Sequence, residues 1–251
     1  MKITLLIIAF LLLVFLIQLG IAPAGVARQW REKLEANDSL YMQNYDPGLE
    51  LSEVEALARK KAFVKAQLEL AEDDSIHLIV NLKDSSIHLA IHGVTIHTSR
   101  LPTIENDALL KSIPNKLYLG LFSDPVPITS IQSTIVKEPI VERQAPKDPV
   151  EAALNAYEPD TLIQNPAYIR LRLVHGIDLV LEQHPNPSFA EQWTRFRFRQ
   201  ESRPTVGSRV QRMISFRGQE YTPTIRLKLP ANDIRALYRA LPAQPKVVLY
   251  Y

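Results

Sequence analysis

The sequence predicts an α+β protein: an N-terminal transmembrane helix and a helical stalk, followed by a mainly β domain. Three observations carry that reading. Residues Ile3 to Ile21 are almost unbroken apolar, with Gln18 as the one strongly polar interruption. From Ser52 to about Ala71 the apolar residues recur at roughly helical spacing. From Ser75 the period changes to two, the signature of a strand with distinct faces.

The first apolar run, about twenty residues, matches the hydrocarbon thickness of a bilayer. Residues 1–24 are either an uncleaved signal-anchor or a cleaved secretory signal, since Ala22-Pro23-Ala24 offers small residues in the A-x-A arrangement. The run exceeds the ~7–15 apolar residues of a signal core, which favours the anchor. Charge does not set the orientation. Lys2 lies on one side and Arg28, Arg31 and Lys33 on the other, so the positive-inside rule gives no support to a periplasmic body and leans slightly against it.

Residues 25–74 read as the helical stalk. Val26 to roughly Gln43 is a polar helix bearing Trp30, Leu34, Leu40 and Tyr41, broken at Asp46-Pro47-Gly48. Ser52 and Glu55 then make a capping box for a second helix. Its Val54, Leu57, Phe63, Val64 and Leu68 form an approximate apolar stripe, suited to packing on the body or holding it off the membrane. A coiled-coil seam is the other use of such a stripe, and the pattern is too short to support it well.

Residues 75–251 form the β-rich domain. Ile76, Leu78, Val80 and Leu82 alternate with His77, Ile79, Asn81 and Lys83. After a turn at Lys83 to Ser86, Ile87, Leu89 and Ile91 alternate with His88, Ala90 and His92, and Gly93 turns the chain into Val94 to His97. This predicts a three-stranded meander with one apolar face. A Pro-rich insertion follows at about 123–166, with Pro125, Pro127, Pro139, Pro146, Pro149, Pro159 and Pro166. Proline cannot donate to a sheet ladder, so this stretch reads as edge, strap or loop, with Ile131 to Val141 able to supply one extended strand. Tyr168 to Leu181 reads as a strand that continues past Gly176. Phe189 to Phe198 begins as helix or loop and becomes a Phe/Arg alternation.

Composition removes several classes of function. At 251 residues and net charge +2, the chain exerts no strong whole-protein pull on nucleic acid. It has no cysteine, so disulfides, thiolate catalysis and Cys-based metal sites are excluded. Eight glycines and no Gly-rich phosphate loop argue against a nucleotide-binding fold. There is no G-x-S-x-G elbow and no H-E-x-x-H. No cofactor is expected.

Near the end of the chain, Tyr221-Thr222-Pro223-Thr224-Ile225-Arg226-Leu227-Lys228 is followed by Asn232-Asp233-Ile234-Arg235-Ala236-Leu237-Tyr238 and by Lys246-Val247-Val248-Leu249-Tyr250. This order resembles the last third of an L,D-transpeptidase (YkuD-type) catalytic domain. There a Ser-His-Gly-Cys-Ile/Val-Arg strand leads into a helix with Asp-Ala-x-x-Leu-Tyr and then a final strand. The run from Ile79 to Val94 is similar to the hairpin that opens the same domain. The resemblance implies an L,D-transpeptidase-like domain that is degenerate. Thr224 stands at the cysteine position, Thr222 at the adjacent histidine, Pro223 at the glycine and Tyr221 at the serine, while Arg226 keeps the motif's arginine. A threonine hydroxyl is a far weaker nucleophile than a thiolate and needs a base in reach. Thr222 cannot be that base, and Pro223 has no N–H to offer. The resemblance therefore implies an inactive relative with no catalytic residue, whose vestigial positions are Tyr221, Thr222, Pro223, Thr224 and Arg226. Arg226 is suited to holding a carboxylate or to supporting its own strand. His175-Gly176 carries the letters of the family's upstream His-Gly pair, at a much longer spacing, and His175 is a candidate groove contact.

Two further clusters stand apart from the resemblance. Pairing Leu82 with Ile87 and Ile91 with Val94 would set His77 opposite His92 and His88 opposite His97, all on the polar face. That makes the four weak candidates for a surface metal site, with a plain solvated face as the ordinary reading. Arg195, Arg197 and Arg199, alternating with Phe196 and Phe198, would on a strand form a basic face. Arg203, Arg209, Arg212 and Arg217 extend the bias. Such a face either meets water as an edge strand or docks an acidic partner, lipid headgroups or anionic wall polymer.

The expected function is that of a non-catalytic, membrane-anchored envelope protein of the bacterial inner membrane, with its body in the periplasm. The periplasmic placement comes from the resemblance, because that family's substrates lie in the cell wall. Expected partners are the membrane, through the N-terminal helix, and an envelope protein or a peptidoglycan stem peptide; nucleic acid is not one. The alternative is a structural subunit of an inner-membrane complex without peptidoglycan contact. An enzyme using His175 and Thr224 together is a third, which requires them to meet in space.

Overall fold

A computed structural model describes residues 2–36, 52–137, 166–185, 188–201, 205–215 and 220–251. In chain order the elements are α1 (Lys2–Ala36), α2 (Ser52–Ala71), β1 (His77–Asn81), β2 (Ser86–Ile91), β3 (Val94–Arg100), β4 (Thr103–Asn106), α3 (Ala108–Lys111) and α4 (Asn115–Phe122). They continue with β5 (Val126–Ser133), β6 (Tyr168–Leu173), β7 (Asp178–Gln183), α5 (Phe189–Glu201), α6 (Val206–Ile214), β8 (Thr224–Leu229), α7 (Ala231–Ala240) and β9 (Lys246–Tyr250).

The strands form one mixed sheet of nine, in the order β3-β2-β1-β9-β5-β6-β7-β8-β4. Strand β9 pairs in parallel with β1 and antiparallel with β5. Its Val247-Val248-Leu249 run is buried throughout, as a strand with neighbours on both sides and cover on both faces requires. Leu78, Val80, Ile87, Leu89, Val247 and Leu249 enter the main core with Leu171, Leu179, Leu181, Ile225 and Leu227 from the other half of the sheet. Ile234 and Leu237 of α7 and Tyr118 and Phe122 of α4 belong to the same core.

Ile79, Ala90 and Val248 point the opposite way and pack against Phe63, Ala66 and Leu70 of α2. Tyr250 stacks on Phe63 with ring centroids 4.9 Å apart. Strands β1 and β2 thus have cover on both faces, where one apolar face was expected, while Val94 and Ile96 of β3 are exposed. Of the two uses read for the helices of 25–74, packing on the body and holding it off the membrane, their described parts take the first. Arg59 of α2 donates to Asn115 Oδ1 at 3.0 Å and sits 4.5 Å over the Tyr118 ring. The side chain of Ser52, half of the expected capping box, lies outside the described residues, as do Asp46-Pro47-Gly48.

Helix α1 runs without a break from the apolar segment into the polar one, so Val26 begins no separate helix; 37–43 lie outside the described residues. By length and composition α1 is long and apolar enough to cross a membrane. Phe10, Leu13, Leu16, Ile17 and Ile21 are exposed, whereas Trp30 is 3% exposed within the core. The Trp30 Nε1–H donates to the His175 carbonyl at 2.8 Å. Gly120 of α4 permits the approach, since a Cβ there would lie 2.5 Å from Leu34 Cδ2.

Three strand expectations are corrected. Tyr168 to Leu181 is a hairpin, not one strand. Gly176, at φ +75°, supplies the left-handed residue of the turn, and Leu173 and Ile177 close it with a 2.8 Å hydrogen bond. In the Pro-rich stretch the strand is Val126–Ser133, so Ile131 to Ser133 of the expected Ile131 to Val141 lie in it, 134–137 do not, and 138–141 lie outside the described residues. Pro127 is accommodated where β5 pairs only briefly with β9. Of the other prolines, Pro139, Pro146, Pro149 and Pro159 lie outside the described residues. Finally, Phe189–Glu201 is a helix throughout, so the Phe/Arg alternation is not a strand.

Candidate functional site

Strands β6, β7 and β8 turn their leucines and isoleucines to the core and a charged set to the opposite face. Register places Arg172 beside Asp178 and Asp178 beside Thr224. It places Arg170 beside Val180 and Val180 beside Arg226, while Glu182 sits between Tyr168 and Lys228. Glu105 of β4 completes the row next to Arg226. Buried charges persist only with partners, and each acid here has them. Asp178 accepts two hydrogen bonds from Arg172, at 2.8 and 3.0 Å, with Arg170 Nε 3.7 Å away. Glu182, 1% exposed, accepts two from Arg199 of α5, at 2.8 and 2.6 Å, and lies 4.0 Å from Arg226 Nε. Lys228 pairs with Glu105 at 2.7 Å and is the main cause of that carboxyl's lowered pKa. Arg170 donates to Gln132 Oε1 at 2.6 Å and to the Phe198 carbonyl at 3.0 Å, and burial depresses its pKa.

The positions matched to the transpeptidase motif lie at one end of this face. Thr224 opens β8, an inner strand flanked by β7 and β4. Its hydroxyl donates to the Thr222 carbonyl at 3.0 Å. The Pro223 carbonyl accepts from the Asp178 N–H at 2.9 Å, which extends the β7–β8 ladder by one step. The Tyr221 hydroxyl donates to the Asp107 carboxylate. Burial, followed by that carboxylate, raises the phenol's pKa well above the ordinary tyrosine value. Asp107 also caps α3 by accepting the Leu109 N–H at 2.9 Å. Arg226 faces a carboxylate that Arg199 already holds by two hydrogen bonds.

His175 is elsewhere. It lies in the β6–β7 turn next to Trp30, Lys33 and Leu121, and burial, with Lys33 second, lowers its pKa. Thr224 instead shares the charged face with Arg226 and Lys228. Asp178, three residues after His175, is the ladder partner of Thr224, but the Thr224 hydroxyl donates to Thr222 and not to His175.

The histidine cluster is corrected too. The β1–β2 turn takes Leu82 to Ser85, so His77 pairs with Ala90 and His88 with Ile79. Ile91 does pair with Val94 across His92-Gly93, both at positive φ, the geometry of a type I′ turn. A bulge between Leu89 and Ala90 then shifts the register, so His97 pairs with Leu89 and His88 with Thr98. His77 ends buried under α2, 3.6 Å from Asp73, with neither ring nitrogen hydrogen-bonded. His92 lies 3.3 Å from Asp74 in the turn. No group of three or more His, Asp or Glu suited to a metal is found among the described residues.

Arg195, Arg197 and Arg199 form no single basic face, because helical geometry sets Arg197 apart from the other two: Arg199 points to Glu182, whereas Arg197 is exposed. Arg212 pairs with Glu220, and Arg203 and Arg217 lie outside the described residues. The sequence reading missed Asp107, Arg170, Asp178 and Glu182. Their signal was present in Arg170 and Arg172 set against Asp178 and Glu182, all at period two within otherwise apolar strands. No protein-family model, no curated protein and no solved structure matches this chain.

Proposed function

We propose that this is a non-catalytic, membrane-anchored protein of the bacterial envelope that binds or scaffolds during wall assembly, with its body in the periplasm. One observation carries the reading: the polar groups at the motif positions are engaged within the fold. The Thr224 hydroxyl is turned to Thr222, the Tyr221 hydroxyl to Asp107, and Arg226 to Glu182. Acyl transfer needs a free nucleophile with a base in reach and donors for the oxyanion. Here an alcohol is tied to its own backbone and a proline stands beside it. The envelope, the periplasmic body and the stem-peptide partner rest on the motif resemblance, and the anchor rests on α1.

The test incubates the full chain, in detergent or vesicles, with muropeptides, and measures both binding and cross-linked product. Binding without product supports the reading. Product that disappears in Thr224→Ala overturns it. Absence of muropeptide affinity, with a stoichiometric membrane partner retained by Arg226→Ala, assigns the chain instead as a structural subunit of an inner-membrane complex.

A further inference from the structure

Helix α5 is amphipathic in the opposite sense to a core-facing helix. Its inner side carries Phe198, Glu191, Arg195 and Arg199, because the sheet face beneath it is charged. The Glu191 carbonyl accepts the Tyr168 hydroxyl at 3.1 Å, and the Phe198 ring lies 4.6 Å from the Arg170 guanidinium. Phe189, Trp193 and Phe196, at i, i+4 and i+7, fall on the side away from Phe198. They are 83%, 55% and 48% exposed. Trp193 and Phe196 stack with centroids 5.6 Å apart, and exposed Arg197 flanks the stripe.

Two observations indicate what covers this stripe. Helix α1, long and apolar enough to span a bilayer, lies against α6, the next helix after α5. The composition of the outer face, aromatic with a tryptophan and bordered by arginine, is that of a helix lying in a membrane interface. A tethered body needs only weak interfacial affinity, since the tether makes the contact intramolecular.

We infer that α5 docks on the surface of the membrane that α1 crosses, with Phe189, Trp193 and Phe196 seated below the headgroups and Arg197 at lipid phosphate. This rests on the reading of α1 as an anchor. The test reconstitutes the full chain in phosphatidylcholine–phosphatidylglycerol vesicles with and without lipid brominated near the headgroup end of its acyl chains. The chain has two tryptophans, and Trp30 is buried. Docking predicts that brominated lipid quenches the emission, and that Trp193→Phe removes more than about half of the bromine-dependent loss. Phe189→Ser combined with Phe196→Ser, which keeps Trp193 in place, should weaken the quenching. Loss of the chain from vesicles on carbonate washing overturns the anchor and the docking together. A retained chain whose bromine-dependent loss is the same in Trp193→Phe overturns the docking alone. Blue-shifted, unquenched Trp193 in a detergent-stable dimer also overturns it and assigns the stripe to a second copy.

Discussion

Arg199 reaches from α5 to Glu182 on β7 and holds its carboxylate with two hydrogen bonds, of 2.8 and 2.6 Å. Removing the carboxylate leaves Arg199 without this partner on a largely dry face. Glu182→Ala should destabilise the chain by about 1.5–3 kcal/mol, the usual range for hydrogen bonds to charged groups. Arg226, 4.0 Å from the same carboxylate and partly exposed, should cost less than about 1 kcal/mol as Arg226→Ala. Denaturation midpoints in detergent compare them, and equal losses would show that the α5 clasp is not the dominant contact.

Trp30 joins the end of α1 to the body by its buried ring and its hydrogen bond to the His175 carbonyl. Trp30→Ala should cost about 3–5 kcal/mol, the usual loss for a large aromatic removed from a core. Trp30→Phe keeps most of the apolar contact and should lose mainly the hydrogen bond, about 1 kcal/mol. Limited proteolysis between α1 and α2 should accelerate in the alanine variant. An unchanged cleavage rate would mean that α1 does not dock.

Acid should weaken the fold in two stages. Burial holds His77, His88 and His175 below the ordinary histidine range. The unfolded chain therefore binds more protons as pH drops below about 6.5, so the stability from these neutral rings, complete above that value, is lost on acidification. Lys246 holds Asp73 down at about 2, and Lys228 lowers Glu105. Their contribution is intact above the ordinary carboxylate range near 4 and disappears toward pH 2. Melting temperature against pH should show both declines. His77→Leu, which removes a buried ring whose nitrogens make no hydrogen bond, should flatten the first; an unaltered slope would place the proton uptake elsewhere.

Tyr221→Phe should cost about 1–2 kcal/mol, because it removes a donor from the carboxylate that also caps α3. Asp107→Asn keeps a capping oxygen and should cost less than Asp107→Ala. A double-mutant cycle with Tyr221→Phe measures the coupling, and strict additivity would separate the phenol from the cap.

The elements most legible in the sequence were those with one dominant period. The meander was read from spacing and the α2 helix from spacing and a capping box, whereas the closing strand–helix–strand was read from the resemblance of its motif order. The register of the meander was not legible, because a bulge at Leu89/Ala90 leaves no composition signal and moves His97 to the other face. Helix α5 was misread because Arg-Phe-Arg-Phe-Arg alternates, while the tertiary demand for Arg199 at Glu182 is met from a helix. Strand β4 and helices α3 and α4 were passed over. Leu117, Tyr118, Leu121 and Phe122 after Pro114 were the available sign of α4. The charged face was missed as a unit, since pairing of Arg172 with Asp178 and of Arg199 with Glu182 is visible only once β6, β7 and α5 are assembled. The Thr224 strand was anticipated; the engagement of its hydroxyl with Thr222 was not.

Strand β9 is the bridge between two half-sheets, with Leu78 paired to Val247 on one side and Val126 to the same residue on the other. Until that bridge is synthesised, the edges of β1 and β5 have no partner in this arrangement. Such distant pairings are slow to form and leave open edges that other chains can join. During biogenesis the protein's vulnerability to misassembly should therefore be greatest before Val247 emerges.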